Sequence, residues 1–242
     1  MTNESHGEQG WAMFMKFGQR EHLEVFRSEG LLYAKHLHDF SKSENKADKV
    51  RPDRFEGADE IYQPSFIKSF TIKKAPDTKI VLGPRNFAGP VAVCFGRNTN
   101  CNVYCMYSMM PPLMNGSVDP RNFGFGDSFV IVLDTQEFCD RVAAAASARG
   151  LGSEARPVRY YDGDSYSGET GPFSKPDRFE FQREFRFAFW PGTKEPLHLK
   201  VGDLADITTS VHDLTRINEL ICFDEHSVRN AGSDVKTSGQ PA

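Results

Sequence analysis

The sequence predicts one α+β domain over residues 11–228. Helical periodicity occurs at 20–28, where Leu23 and Phe26 share a stripe, and at 135–148, which contains an alanine run. Most other apolar residues fall in short β-rich segments separated by Gly, Pro and Asn clusters, a pattern typical of antiparallel strands. Because helices and strands do not alternate regularly, the class is α+β and not a parallel α/β fold.

Local sequence signals support each element. Gly30 is expected to end the first helix in the left-handed conformation, and Gly150 to end the second. Asp134 or Thr135 can cap the start of the second helix. The predicted strands are 11–17, 31–40, 65–73, 79–82, 91–95, 102–109, 129–133, 158–161, 179–190 and 197–201.

Three segments lack the apolar residues that a core requires. Residues 41–59 have almost no apolar content besides Val50 and Phe55, and are predicted to form a long surface loop. The ends, 1–10 and 229–242, are predicted to be a disordered leader and tail, because neither holds enough apolar surface to offset its ordering entropy.

Composition and charge exclude several classes of protein. Hydrophobic residues make up 39% of the 242 positions and charged residues 26%, so the chain is neither a disordered nor a membrane protein. The 29 Lys and Arg residues are outnumbered by 33 Asp and Glu residues, and a net charge of −4 provides no general attraction to nucleic acid. No apolar run reaches the roughly 18–20 residues of a spanning helix, and the polar N-terminus is unlike a secretory signal. We therefore expect a cytoplasmic protein with no membrane partner.

Neither the cysteines nor the histidines form a recognisable metal site. The five cysteines are an odd set with no second Cys/His pair for a tetrahedral zinc centre, so we expect buried, unpaired thiols and no metal. His36 and His38 share a strand face without a carboxylate or cysteine close in sequence, which favours solvated side chains. Phosphate-loop, dinucleotide, nucleophile-elbow and zinc-protease motifs are absent, and the glycine-rich segment 124–127 is predicted to be a turn.

The clearest functional signal is the alternating sequence at 179–190. As a single strand, this segment would place its odd-numbered residues, mostly Phe, on one face and its even-numbered, mostly polar residues on the other. The polar face could simply be solvated. Alternatively, Gln182 and Glu184, about 7 Å apart on a strand, point into a cleft where the carboxylate acts on a sugar and the amide orients an acceptor. The spacing alone favours neither interpretation.

The order of elements around this segment resembles the ADP-ribosyltransferase superfamily. The opening 14–32, which ends in a Gly-Leu step, looks like the family's first strand and helix. Residues 102–109 look like the strand that contains a serine in many members, which implies that Ser108 contacts NAD. Residues 181–185 match the Q-x-E form of the catalytic strand, with Glu184 as the catalytic glutamate and Gln182 as its partner.

The resemblance implies a split antiparallel sheet with flanking helices, and NAD as the substrate without any metal. Lys16 stands where the family has an Arg or His that grips NAD, and Arg20 lies a turn further on. Tyr33 is the implied stacking partner of nicotinamide. Arg186 would help Gln182 to position the acceptor.

The implied activity is NAD-dependent transfer of ADP-ribose to a macromolecular acceptor, either a protein or a nucleic acid. A toxin or phage-defence role, with an antitoxin or defence partner, belongs to the same expectation. The Glu184 carboxylate would stabilise the positive charge that develops on the ribose as nicotinamide leaves. Two alternatives stay open: a non-catalytic binding module that uses 41–59 as its contact surface, and a nucleic-acid binder whose strand 179–190 stacks bases.

Overall fold

The computed structural model describes residues 13–41, 53–75, 78–96, 99–109 and 118–221. The predicted leader and tail, Cys222 and residues 42–52 of the predicted surface loop lie outside these ranges. The helices are α1 (Arg20–Glu29), α2 (Thr135–Ala148) and α3 (Ile217–Leu220). The strands are β1 (Met13–Gly18), β2 (Leu31–His36), β3 (Glu60–Tyr62), β4 (Phe70–Ala75), β5 (Thr78–Leu82), β6 (Val91–Val93), β7 (Asn102–Met109), β8 (Ser128–Val132), β9 (Gly152–Pro157), β10 (Arg159–Tyr161), β11 (Gly168–Glu169), β12 (Ser174–Pro176), β13 (Glu184–Trp190), β14 (Leu197–Lys200) and β15 (His212–Asp213).

Eight strands form one antiparallel sheet, which together with the helices confirms the α+β class. Six of them follow the order β14-β2-β7-β1-β8-β15, while β13 and then β9 are added beside β7. Three small sheets lie apart from the large one and consist of β10 with β12, of β11, β3 and β6, and of β4 with β5.

Two strands share one edge of β7 and diverge from it. Near the carboxyl end of β7, β1 pairs through residues 13–15, and near the amino end β2 pairs through Lys35 and His36. On this edge no described strand pairs with residues 104–106 of β7, whereas β13 follows the opposite edge along 102–107. The sheet therefore opens between β1 and β2, and we call this opening the fork.

Helices α1 and α2 cover one face of the sheet, and their apolar stripes are buried as the sequence predicts. Leu23 and Phe26 project from α1, and Phe138 and Val142 from α2, into one core cluster. Phe14 of β1 lies among them, with its ring centroid 6.5 Å from that of Phe138. Helix α1 thus contacts both β1 and β2, the strands on either side of the fork.

The predicted helix ends are confirmed by their backbone geometry. Gly30 follows α1 in the left-handed conformation with φ of 59°, and a Cβ at this position would lie 1.9 Å from the carbonyl oxygen of Gly202. At the start of α2, the Asp134 carboxylate accepts a hydrogen bond of 2.9 Å from the Glu137 N–H. Gly150 beyond α2 also has a positive φ, 70°.

The predicted strand 179–190 is wrong in its first half. Residues 177–182 form a 3-10 helix, Arg183 turns the chain with a φ of 39°, and β13 begins only at Glu184. The alternation of Phe with polar residues is the same on both sides of the turn, so it could not reveal the break.

Of the two interpretations of the polar face, the one in which it is simply solvated is wrong. Arg186 and Ala188 are buried as completely as Phe185, Phe187 and Phe189, because other segments cover this face of β13. Arg186 donates to Glu56 and to the Pro172 carbonyl, and Ala188 packs in a cluster with Leu37 and Phe173. The alternative in which this aromatic strand stacks nucleic-acid bases is therefore wrong, since these phenylalanines belong to the core.

Other differences concern short elements. β2 stops at His36, and residues 37–40 form a 3-10 helix. β9 is absent from the sequence-based assignment because its residues are mostly exposed and polar, although it pairs with β13. In the predicted surface loop, Asp53 and Glu56 are buried, contrary to the expectation of solvated charges.

The described cysteines are unpaired, but their burial varies. Cys101 is buried, Cys105 and Cys139 are half-buried, and Cys94 is exposed, so the prediction of buried thiols is wrong for Cys94. Burial raises the pKa of the Cys101, Cys105 and Cys139 thiols to about 12. These three sulfurs are thus protonated at neutral pH and behave as small apolar groups.

Candidate functional site

A cavity of about 830 Å³ occupies the fork and reaches from β1 and α1 across β7 to the first residue of β13. Its wall is largely aromatic and aliphatic, with three lysines and one carboxylate among the polar side chains. The lining residues with polar or charged side chains, apart from tyrosine and cysteine, are Lys16, Gln19, His22, Lys35, Asn122, Lys175, Gln182 and Glu184. A mostly apolar cavity with a few convergent polar groups is typical of a small-molecule site.

Glu184 stands at the wall of the cavity, where β13 begins opposite Tyr107 of β7. Its side chain is only 11% exposed. Its backbone N–H donates to the Tyr160 hydroxyl at 2.9 Å, and its carbonyl accepts from the Val158 N–H at 2.9 Å. The backbone at this position is therefore held from both sides.

Both carboxylate oxygens of Glu184 are bound by cations. Oε1 accepts from Lys175 Nζ at 2.7 Å, and Oε2 accepts from Arg186 Nε at 2.6 Å. Arg186 also donates to both Glu56 oxygens, at 2.6 and 3.0 Å. Glu56, Lys175, Glu184 and Arg186 thus form a buried ion cluster with two charges of each sign.

The buried ion cluster fixes the protonation of its members. Burial alone would raise the pKa of Glu184, but Arg186 and Lys175 outweigh burial and lower the pKa to about 2. Burial would lower the pKa of Arg186, yet Glu184 and Glu56 hold it well above its usual range. At neutral pH the site therefore presents an ionised carboxylate. Since a carboxylate has about four lone-pair positions, two remain for a ligand donor.

Gln182 joins the same cluster from the 3-10 helix that precedes the turn at Arg183. Its Oε1 accepts from Lys175 Nζ at 2.6 Å, so one ammonium group bridges Gln182 and Glu184. The turn at Arg183, and not strand periodicity, brings the two side chains to a common partner.

Lys16 and Tyr33 line the cavity from the two strands of the fork. The Lys16 ammonium donates to the Cys105 carbonyl at 2.6 Å and lies 4.3 Å from the centre of the Tyr104 ring. Tyr33 is 50% exposed and contacts the His198 ring at a centroid distance of 5.2 Å. The fork therefore brings Lys16, Tyr33, Gln182 and Glu184 together although they are far apart in sequence.

Three other residues expected at the site do not line the cavity. The Arg20 guanidinium donates to the Val211 carbonyl at 3.2 Å and pairs with Glu24 at 3.7 Å. Arg186 is buried and bound to the carboxylates of the ion cluster, so it is not placed to position an acceptor.

Ser108 is the third of these residues. It lies opposite Phe14 in the register, where β1 is paired with β7, and therefore beyond the stretch 104–106 over which the fork is open. Its Oγ is buried and has no hydrogen-bond partner among the described residues.

A segment between β7 and β8 closes another part of the cavity wall. Asn122 and Phe125 lie in the 3-10 helix at 120–125, and Asn122 Nδ2 donates to the Phe181 carbonyl at 2.8 Å. This segment approaches the end of β1 so closely that a Cβ on Gly126 would lie 2.2 Å from the Gly18 backbone. Any larger residue at position 126 would therefore clash with the backbone of β1.

Sequence reasoning missed Lys175 and Glu56. Lys175 follows a Gly/Ser-rich loop and Glu56 lies in a stretch of mixed charges, so neither has a local pattern that indicates burial. Only the fold reveals the contact between Glu56 and Arg186, which are separated by 130 positions.

Comparison of the chain with known protein families, with curated proteins and with solved structures finds no match. Within the described ranges, no group of three or more His, Cys, Asp or Glu residues could hold a metal ion. Among the described helices, none combines the length and the apolarity needed to cross a bilayer.

Proposed function

We propose that the fork cavity binds NAD and that the protein transfers ADP-ribose from NAD to a macromolecular acceptor. The observation that supports this proposal is the convergence of Glu184 and Gln182 with Lys16 and Tyr33 on one cavity. The fork in the antiparallel sheet is also compatible with the split sheet that the resemblance to ADP-ribosyltransferases implies.

The size of the cavity and its polar groups support NAD as the ligand. Its volume of about 830 Å³ falls within the roughly 300–1,000 Å³ common for ligand sites. Lys16 and Lys35 offer positive charge for the diphosphate, and exposed Tyr33 offers a flat surface for nicotinamide. Glu184 provides the acceptor oxygens for ribose hydroxyls.

The chemical step follows from the ionised state of Glu184. As the bond between ribose C1′ and the nicotinamide nitrogen breaks, its electron pair leaves with nicotinamide and positive charge develops on the ribose. The carboxylate stabilises that charge. An acceptor nucleophile then bonds to C1′ and releases its proton to the solvent. In this proposal Gln182, whose Oε1 accepts from Lys175, orients that acceptor.

Glu184→Gln tests this step, because it removes the charge and keeps the shape of the side chain. We expect nicotinamide release to fall on the order of 10²-fold. The matched control is Glu180→Gln, since Glu180 is exposed and four positions away. The measurement is release of nicotinamide and transfer of label from labelled NAD to lysate protein or nucleic acid. Absence of both activities in the wild-type protein would refute the proposal.

A second candidate function is a non-catalytic binding module with the same fold. The buried ion cluster favours it, because Glu184 then serves as a structural counter-charge for Arg186 and Lys175. Such a module would show no release of nicotinamide, and Glu184→Gln would alter only its stability. The toxin or phage-defence setting and an antitoxin partner remain part of the proposal through the family resemblance alone.

A further inference from the structure

The hairpin of β4 and β5 exposes an unusual concentration of apolar side chains. Of the ten large hydrophobic residues that are exposed in the described part of the chain, five lie within residues 66–81. These five are Phe66, Phe70, Ile72, Ile80 and Val81. The hairpin pairs with no other described strand, and an isolated two-stranded ribbon with an uncovered apolar face is at most marginally stable in water. A partner that covers this face would therefore stabilise the hairpin.

The register of the hairpin separates apolar from cationic side chains. Phe70 stands opposite Leu82 and Ile72 opposite Ile80, so these four residues share one face. Lys73 stands opposite Lys79 on the other face, together with the pair of Thr71 and Val81. The hairpin is therefore amphipathic, with one apolar face and a second face that holds both paired lysines beside Thr71 and Val81. We call it the amphipathic hairpin.

The charge around the amphipathic hairpin is opposite to that of the whole chain. Residues 64–88 contain five basic residues and a single acidic one, Asp77, whereas the chain has a net charge of −4. Lys68, Lys73, Lys79 and Arg85 form no ion pair with a described residue. The partner that complements this region is therefore both apolar and anionic.

The separation of the two faces decides between anionic partners. Single-stranded nucleic acid needs aromatic rings and cations along the same groove, because bases stack where the phosphates are neutralised. An element that lies in a membrane interface has the opposite arrangement, with an apolar face against the acyl chains and lysines among the headgroups. Lysine stems are long enough to reach the phosphate level from the upper face. A second copy of the chain would bring two cationic hairpins together without a counter-charge.

We propose that the amphipathic hairpin docks the protein on an anionic lipid surface. Its apolar face enters the boundary between headgroups and acyl chains, and Lys73 and Lys79 contact anionic headgroups. This proposal is independent of NAD chemistry in the fork. It departs from the sequence-based expectation of no membrane partner, because that expectation considered only spanning segments and signals.

Vesicle co-sedimentation of the full chain tests the proposal. We expect binding to phosphatidylcholine vesicles that contain phosphatidylserine, and little binding to phosphatidylcholine alone. Lys73→Gln with Lys79→Gln should weaken binding by about fivefold per lysine removed, and added salt should weaken it further. Ile72→Ser with Ile80→Ser should weaken it by about tenfold or more.

Matched controls separate the amphipathic hairpin from general surface effects. Leu133→Ser removes an exposed apolar residue elsewhere, and Lys194→Gln with Lys200→Gln removes two exposed lysines. Both should bind as the wild type does, and thermal melts check that all variants are folded. Equal binding by hairpin and control variants would overturn the proposal. So would binding to single-stranded DNA but not to vesicles, or self-association that the isoleucine substitutions abolish.

Discussion

Glu184 combines a buried position with a charge that persists over the physiological pH range. A single carboxylate in an apolar wall would tend to be protonated, because burial disfavours its charged form. Here Lys175 and Arg186 reverse that tendency, and Glu56 in turn balances Arg186. The charge at the cavity wall therefore depends on all four residues of the buried ion cluster. Only Glu184 among them was expected to act as a catalytic group.

The pH dependence of stability should report this arrangement. The pKa of Glu184 is depressed to about 2 in the folded chain, below the 4.5 of an ordinary glutamate. Its contribution to stability is therefore complete above pH 4.5 and is lost as the pH falls towards 2. We expect the difference in the free energy of unfolding between wild type and Glu184→Gln to shrink across that window.

Urea unfolding at several pH values measures this difference. Other carboxyl groups with shifted pKa values, such as Asp53 and Asp206, are present in both proteins. Their contributions therefore cancel in the difference between the two free energies of unfolding. A difference that stays constant from pH 6 to about pH 2 would show that Lys175 and Arg186 do not hold the Glu184 charge.

At the scale of single residues, the sequence predicted part of the site. Gln182 and Glu184 were chosen from their spacing and from the Q-x-E resemblance, and both line the cavity. Ser108 was expected from its place in the aligned strand, but it lies where β1 pairs with β7, beyond the stretch 104–106 over which the fork is open. Lys175 could not be found, since its burial depends on contacts that no local pattern encodes.

At the scale of elements, the turn at Arg183 determines how the site is assembled. The Arg183 N–H donates to the Glu180 carbonyl at 3.0 Å, and its own carbonyl accepts from the Ser108 N–H at 2.8 Å. These bonds join the 3-10 helix to β13 and hold the start of β13 against β7. A left-handed conformation is rare for a residue with a side chain, and it is strained for a β-branched one.

Two substitutions at Arg183 measure how much this backbone conformation affects stability. Arg183→Gly and Arg183→Val both remove the guanidinium, but only valine opposes a φ of 39°. We expect the free energy of unfolding of the valine variant to be lower than that of the glycine variant by about 1 kcal/mol or more. Urea midpoints compared at equal m-values measure the difference. If the valine variant is as stable as the glycine variant, the turn is not strained as described.

The elements themselves were predicted unevenly, and the reason is physical. The bounds of β7 and α2 agree with those expected, because each has a long apolar pattern with clear flanking signals. β9 was missed because an exposed edge strand with few apolar residues lacks the period-two signal. β9 is a strand because it pairs with β13, and this pairing cannot be predicted from the residues of β9 alone.

At the scale of the whole molecule, the fork and the amphipathic hairpin are separate features. The fork forms because β1 and β2 pair with different parts of the same edge of β7. In the sequence, only the family resemblance implied that the sheet is split. The amphipathic hairpin lies outside the large sheet, so its variants leave the cavity wall intact. NAD chemistry and lipid binding can thus be tested one at a time.

Occupation of the fork by NAD is tested most directly by a thermal melt with and without NAD, using Lys16→Met and the control Lys200→Met. A ligand that binds only the folded chain at a hundredfold excess over its Kd adds about 2.7 kcal/mol of stability. That corresponds to a rise in Tm of roughly 5–10 °C for a chain of this size. We expect this rise in the wild type and in Lys200→Met, and a much smaller rise in Lys16→Met. An unchanged Tm in the wild type, or an equal rise in Lys16→Met, would contradict binding of NAD in the fork.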